Sequence, residues 1–384
     1  MNAAGLIVCY LVLVGAALRR LWIACNARRA AQARTLCPLR FDDHATIMVP
    51  IRNEPAVARA AAKWWSEHTG VDPCFVVTDA EQPSKTKEAL GAAGARHIIV
   101  TDGRTKAEML AQALGAVSDD VSRVWIFDSD SRPVGDFTCR GCIGVAPCIY
   151  VPDCAVSGRF FSIWAGIALW QSVWSYGFEL SMSKARNLWY LVGHGVGLER
   201  KQFMDFDRMQ RCEDLALGYK LSALQIEVCP VGGSDVALWP TRPGVHVNQI
   251  ARWFIGDLQA VASQRPFTIR HALRLIELIA GWWLGVPLCL ACWLHARSWH
   301  PGWADGALAL VVLSLPAPIV VVATLCPVGA RSGVGVLIGL LIRPLIDCVA
   351  CTIGVWKLVV GTSPVTDRLV TLKGGDALTA RTPA

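Results

Sequence analysis

Three groups of residues have types and spacings that could do chemistry. The first is the acidic pair Asp128 and Asp130 in RVWIFDSD. An extended backbone sends residues two apart to one face, so both carboxylates could converge on one cation. Mg2+ and Mn2+ take such carboxylate oxygens together with phosphate oxygens. The competing reading is a solvated turn with incidental acids. The second group is Glu213 and Asp214 in CEDLALGYKL, opening an amphipathic run with Leu215, Leu217 and Leu221. The helix dipole alone favours acids in a first turn, and one held there could also act as a general base. The third is Gln249, Arg252 and Trp253 in QIARW. At i, i+3, i+4 they share a helix face, presenting an amide, a guanidinium suited to diphosphate and an aromatic plate suited to a sugar ring. An amphipathic helix lying on a membrane would carry the same residues.

These groups need elements to position them. Four short apolar runs, TIMVPI, CFVVTD, HIIVTD and RVWIFDSD, alternate with the helix-compatible stretches PAVARAAAKWWSEH, PSKTKEALGAAG and RTKAEMLAQALGAV. Buried-type strands alternating with helices predict an α/β domain, a mostly parallel sheet with flanking helices. Ligands bind such sheets beyond the carboxyl ends of the strands. Those ends carry Arg52, Asn53 and Glu54, then Asp79, then Asp102, and finally Asp128 with Asp130.

The chain has 384 residues, 53% hydrophobic and 17% charged, against roughly 45–50% and about 25% in a soluble domain. Low charge and 16 Trp exclude a disordered chain, and 15 Cys spread over this length exclude a disulfide-stapled miniprotein. Residues 3–18 are uncharged and the apolar run continues weakly to Cys25, close to the ~20 residues of a bilayer span. Arg19, Arg20, Arg28, Arg29, Arg34 and Arg40 follow with no acid before Asp42. Charges after the apolar run read as an uncleaved anchor rather than a signal peptide, with the chain entering the cytoplasm behind it. Three more apolar stretches, about 276–296, 303–325 and 334–361, follow Phe267. The first two read as an antiparallel pair. The third holds Arg343, Pro344 and Asp347 near its middle, where charge faces a bundle interior or polar cavity, unless the segment is broken or never crosses.

The expected organisation is an anchor (1–25), a cytoplasmic domain (41–266), a membrane domain of two to three spans (267–361) and a tail (362–384). Residues 159–180 are apolar enough for another span. A single crossing there would put Asp130 and Asp214 on opposite sides of the bilayer, so an interfacial helix with Trp164, Trp170 and Trp174 at headgroup level is expected instead. Cys139, Cys142, Cys148 and Cys154 could bind zinc by spacing, but a single CxxC favours ordinary thiols. His194 in GHGVG reads as structural or acceptor-side.

In order, VPIRNEP, Asp79 at the next strand end, DSD, GHGVGLERKQF, the ED of CEDLALGYKL and QIARW as Q-x-x-R-W resemble the family 2 glycosyltransferases. The resemblance covers about residues 45–260. It points to the membrane-anchored branch of hyaluronan, chitin and cellulose synthases and ceramide glucosyltransferase-like enzymes, the last also similar in SGRFF. It implies a GT-A nucleotide-sugar-binding domain. Asp79 would contact uridine, although TDAEQ stands where the family often has two acids and a glycine. Asp128 and Asp130 would hold Mg2+ or Mn2+ and the diphosphate, Asp130 the more direct ligand. Glu54 and Lys106 would join the nucleotide-sugar contacts. Asp214, beside Glu213, would deprotonate the acceptor hydroxyl, while Gln249, Arg252 and Trp253 line the acceptor and diphosphate end. The implied activity is inverting, metal-dependent transfer from a UDP-sugar to a lipid or lipid-linked acceptor at the bilayer. Nucleic acid is not an expected partner. The alternatives are a processive polysaccharide synthase of the same family and a non-catalytic membrane scaffold or transport component with a decayed transferase domain.

Overall fold

The computed structural model describes residues 3–32, 38–52, 54–78, 84–152, 158–180, 191, 193–203, 213–326 and 333–361. The chain forms two compact units. Arg34–Val156 and Glu179–Thr241 make an α/β unit, and Met1–Ala33, Ser157–Phe178 and Arg242–Asp367 make a helical one. The segment 41–266, expected as one domain, is therefore shared between them.

Helix α1 (Ala3–Gln32) opens the chain, and the α/β unit follows in the expected alternation. Its elements are β1 (Ala45–Ile51), α2 (Pro55–His68), β2 (Cys74–Thr78), α3 (Ser84–Ala92), β3 (His97–Thr101), α4 (Lys106–Gly115) and β4 (Arg123–Ile126). Then come β5 (Ile143–Val145) and β6 (Cys148–Pro152); after α5 (Gly158–Trp174) of the helical unit, β7 (Val196–Glu199), α6 (Glu213–Ala223), β8 (Val228–Pro230) and β9 (Asp235–Trp239) complete it. The main sheet has the order β3-β2-β1-β4-β7-β5-β8, and β6 pairs with β9 in a second sheet. The first four strands are mutually parallel, and β7 runs antiparallel to both β4 and β5.

Alternation along the strands explains the continuous apolar runs. Ile47, Val49, Ile51, Trp125 and Phe127 pack with Trp64 and Trp65 of α2 on one face. Met48, Val124 and Ile126 pack with Leu110 and Leu114 of α4 and Leu217 and Leu221 of α6 on the other. A sheet covered on both faces needs apolar residues at successive positions, and each large aliphatic side chain so buried contributes roughly 1.5–3 kcal/mol. The Trp125 indole lies across two neighbouring strands at Gly197 and Gly144, which pair in register. A Cβ at Gly197 would stand 2.6 Å, and at Gly144 2.5 Å, from indole carbons.

Topology then sets where a ligand can bind. β1 leads through α2 to β2 and β3 on one side, while α4 returns the chain to β4 on the other side of β1. The carboxyl ends of β1 and β4 thus flank the switch point of the sheet, where crevices open in such folds.

In the helical unit, α7 (Pro243–Ala262), α8 (Ile269–Ile276), α9 (Gly285–Arg297), α10 (Pro301–Ser314) and α11 (Val334–Val359) join α1 and α5. Three helical segments are long and apolar enough to cross a membrane: Ala3–Gln32, Pro301–Leu325 and Val334–Val359. At 1.5 Å per residue, all exceed the ~30 Å hydrocarbon thickness. The stretch expected at 276–296 is not one straight helix: Ile269–Trp283 and Gly285–Arg297 meet at 79°. Pro287, in the first turn of α9, is tolerated there because the amides of a first turn have no acceptor within the helix anyway.

Helix α11 stays continuous through Pro344, and its charges face protein. Arg343 donates to Asp347 at 2.7 Å, to the Ile167 carbonyl at 2.8 Å and to Gln171 at 3.2 Å. α5 lies directly against it. A Cβ at Gly166 would collide with the Val336 carbonyl, one at Gly339 with the Ile163 carbonyl, and one at Gly335 would sit 2.6 Å from Ser162 Cβ. Glycines four apart let helix backbones approach this closely. Within the unit Trp164 meets His246 edge-on at 5.3 Å, and Trp174 lies under the Arg19 guanidinium.

Candidate functional site

The acidic motif lies just past β4. Phe127 N still bonds the Met48 carbonyl of β1, but Ser131 N then returns to the Asp128 carbonyl at 3.0 Å, closing a turn. DSD is therefore a turn rather than an extended strand end. Asp128 is half-buried at the mouth, whereas Asp130 is 2% exposed. Asp130 Oδ2 accepts the Leu238 amide of β9 at 3.1 Å. Beside it, the buried Arg132 guanidinium stacks over Trp64 at 5.3 Å. Burial lowers the Arg132 pKa to about 10, against the opposing pull of the Asp130 and Asp235 charges.

Lys106 is the first residue of α4, where a cation opposes the helix dipole. The helix start is secured by a capping box: Thr105 Oγ1 accepts from the Glu108 amide at 3.1 Å, and Glu108 accepts from the Thr105 amide at 3.0 Å. The Lys106 ammonium is held by Asp128 Oδ1 at 2.6 Å and by the Gly193 carbonyl at 2.5 Å. Gly193 also makes room for the second acid. A Cβ there would stand 2.5 Å from Asp214 Oδ2 and 3.2 Å from Lys106 Nζ. Asp214, at the start of α6, thus converges with Asp128 and Lys106 around one glycine. From β1, Glu54 reaches the same turn, accepting from Ser129 Oγ at 3.1 Å, while Arg52 donates to the Arg104 carbonyl at 2.7 Å.

Behind the turn is a buried polar cluster that sequence reading had not assembled. Asp235, fully buried at the start of β9, accepts from Ser131 Oγ at 2.6 Å, Arg132 N at 3.1 Å and His194 Nδ1 at 2.7 Å. His194 Nε2 faces Tyr150 OH at 3.3 Å. Burial alone would depress the His194 pKa, but the Asp235 hydrogen bond and charge outweigh it and raise the value. Burial, aided by Asp235, holds the Cys148 thiol well above its ordinary pKa. Cys148, His194 and Asp235 bring ligand atoms within 4.8 Å of one another. A thiol, imidazole and carboxylate suit a borderline-soft ion such as Zn2+ and not Mg2+. Their shared contact at 2.7 Å is a hydrogen-bond distance, whereas two ligands about a tetrahedral zinc stand farther apart. For Mg2+ or Mn2+, the fitting donor is the carboxylate of Asp128, a hard oxygen at the open side of the turn.

Of the sequence-predicted residues, the structure gathers Glu54, Lys106, Asp128 and Asp214 about the switch point and turns Asp130 inward. Asp79 and the Glu213 side chain lie outside the described residues. Gln249, Arg252 and Trp253 are half-buried on α7 in the helical unit, in the expected helical spacing. Gln249 Oε1 and Arg252 Nε have no hydrogen-bond partner among the described residues. Asp235 went unnoticed in the sequence. Its signal was a carboxylate opening the otherwise apolar strand DVALW after Gly232, Gly233 and Ser234.

No protein-family model matches the chain, and no curated protein matches it in sequence. Among solved structures it is similar to a mannosyltransferase from Pyrobaculum calidifontis in complex with GDP-Man and Mn2+. Identity is 14%, the alignment covers 92% of this chain and 99% of that one, and the TM-score is 0.47.

Proposed function

We propose that this chain is a membrane-anchored glycosyltransferase of the family 2 kind. It transfers a sugar from a nucleotide sugar, a UDP-sugar by the resemblance, to a lipid or lipid-linked hydroxyl. The observation that carries this reading is the convergence of Lys106, Asp128 and Asp214 beside Gly193 at the switch point of a parallel sheet. That is where such sheets bind nucleotides, and two acids around an ammonium suit both halves of the reaction. Lys106 and Asp128 serve the diphosphate end. Asp128 would hold Mg2+ or Mn2+, which would neutralise the leaving diphosphate. Asp214 takes the proton of the attacking hydroxyl. Attack opposite the leaving group inverts the anomeric centre and needs no covalent sugar on the protein.

Membrane attachment through α1 and the C-terminal helices supplies a hydrophobic acceptor by confinement to the same bilayer, and the arginines that follow the uncharged first part of α1 orient the α/β unit toward the cytoplasm. The resemblance assigns Gln249, Arg252 and Trp253 to the acceptor and diphosphate end, and Asp79 to the nucleoside end. Detergent-purified protein is expected to transfer from at least one nucleotide sugar into membrane lipid extract with Mg2+ or Mn2+, read by mass spectrometry. Asp214→Asn, which keeps the shape and removes the base, is expected to lower kcat by about 10²–10⁴ while leaving donor binding in place. Absence of turnover with every nucleotide sugar sinks the reading.

A further inference from the structure

The hydrogen bonds around Asp235 connect two chain segments that meet nowhere near each other in sequence. One is the turn 128–132, which carries Asp128. The other is Gly193–Gly195, whose first carbonyl holds Lys106. Asp235 grips the turn through Ser131 Oγ and Arg132 N and grips the other segment through His194 Nδ1. Ser131 Oγ, while donating to Asp235, also accepts the Asp128 amide at 3.1 Å. The path from Asp235 to the backbone of Asp128 is therefore a single hydroxyl. The strand bearing Asp235 adds Val236, which exchanges both backbone hydrogen bonds with Arg132, and Leu238, whose amide holds Asp130.

We infer that Asp235 and His194 are positioning residues: a buried carboxylate–imidazole staple that fixes the Asp128 turn relative to the Gly193 carbonyl, and so sets the Lys106–Asp128 geometry. The inference rests on the transferase reading for its kinetic consequence but not for its structural one. Asp235 is fully enclosed and receives three donors, so removing one leaves a buried charge under-satisfied. The neighbouring segments are a tight turn of polar residues and a glycine-flanked loop, and neither contributes a side chain to the apolar clusters on the two faces of the sheet.

The test uses the full chain in detergent with His194→Leu, His194→Asn and Asp235→Asn. Asparagine at 194 places an amide donor near the Nδ1 position, and leucine removes it. Hydrogen–deuterium exchange is expected to show lost protection in 128–132 and 193–195 for His194→Leu and Asp235→Asn, with β1 to β3 unchanged and protection restored in His194→Asn. Transfer kcat/KM is expected to fall about 10–100-fold in the first two, the range seen when supporting shells are removed, and to recover most of the way in His194→Asn. Unchanged exchange at both segments, or His194→Asn behaving as His194→Leu, overturns the staple. So does one equivalent of zinc in the purified chain that is lost on Cys148→Ser, because a metal at those atoms would replace the hydrogen bond. No turnover by the unsubstituted chain overturns the transferase reading instead, and the exchange data then decide the staple alone.

Discussion

Lys106 shows how a single residue can be misplaced by one rule and explained by another. A cation at the start of a helix opposes the dipole, and Glu108 in the same turn offsets this. The Asp128 carboxylate and Gly193 carbonyl then give the ammonium two short acceptors. Charge-assisted hydrogen bonds of this kind contribute about 1.5–3 kcal/mol. Lys106→Ala is therefore expected to weaken nucleotide-sugar affinity roughly 10–100-fold, measured by titration calorimetry, with Lys106→Arg recovering only part because a planar fork cannot replace a point charge. His194 offers a pH test. Its folded pKa is raised above the unfolded value by Asp235, so the folded state holds the extra proton. The stabilisation is complete below about pH 6.5 and is lost as pH rises through the folded pKa. Thermal midpoints of the α/β unit, followed by tryptophan fluorescence from pH 6 to 9, should fall with pH, and the slope should flatten in His194→Asn.

At the scale of elements, most of what carries the site could be read from the chain. The β1 to β4 alternation follows from apolar runs bounded by polar residues, and the capping box of α4 follows from Thr105 and Glu108 three apart. The DSD turn could not be read this way, because strand or turn depends on whether β1 continues alongside, and its pairing stops at Phe127. The bend between α8 and α9 was likewise hidden, since apolar composition does not distinguish a straight span from two helices at 79°. Gly197 and Gly144 look unremarkable in sequence, but they are the seat of the Trp125 indole. Gly197→Val is expected to destabilise the unit by about 1–3 kcal/mol through overpacking, visible as a lower thermal midpoint, whereas Ser118→Ala on the surface should leave it unchanged within error.

At the scale of the whole molecule, an α/β unit is joined in one chain to a helical unit with three segments long and apolar enough to span a bilayer. Two buried arginines of the helical unit are paired: Arg343 with Asp347, and Arg274 with both Asp257 and Glu277. Removing one partner strands the other, at a cost of about 3–5 kcal/mol. Asp347→Ala is expected to lower the thermal midpoint in detergent sharply, and Asp347→Asn less, since an amide still accepts from Arg343. The intact chain should remain in the membrane fraction through an alkaline wash.

The sequence by itself determined the class of each region, because hydrophobic periodicity and charge-free length are local properties. It also determined the order of the acids, which carries the resemblance. What only the tertiary structure decided is which acids meet. Asp128, Lys106 and Asp214 come together because the strand order reverses at β1, placing β4 on the side opposite β2, and because Gly193 leaves space that any side chain would fill. Asp130 turns inward because β9, a hundred residues away, offers it an amide. Contacts across such separations depend on register and enclosure, and neither is written in the spacing of residues along the chain.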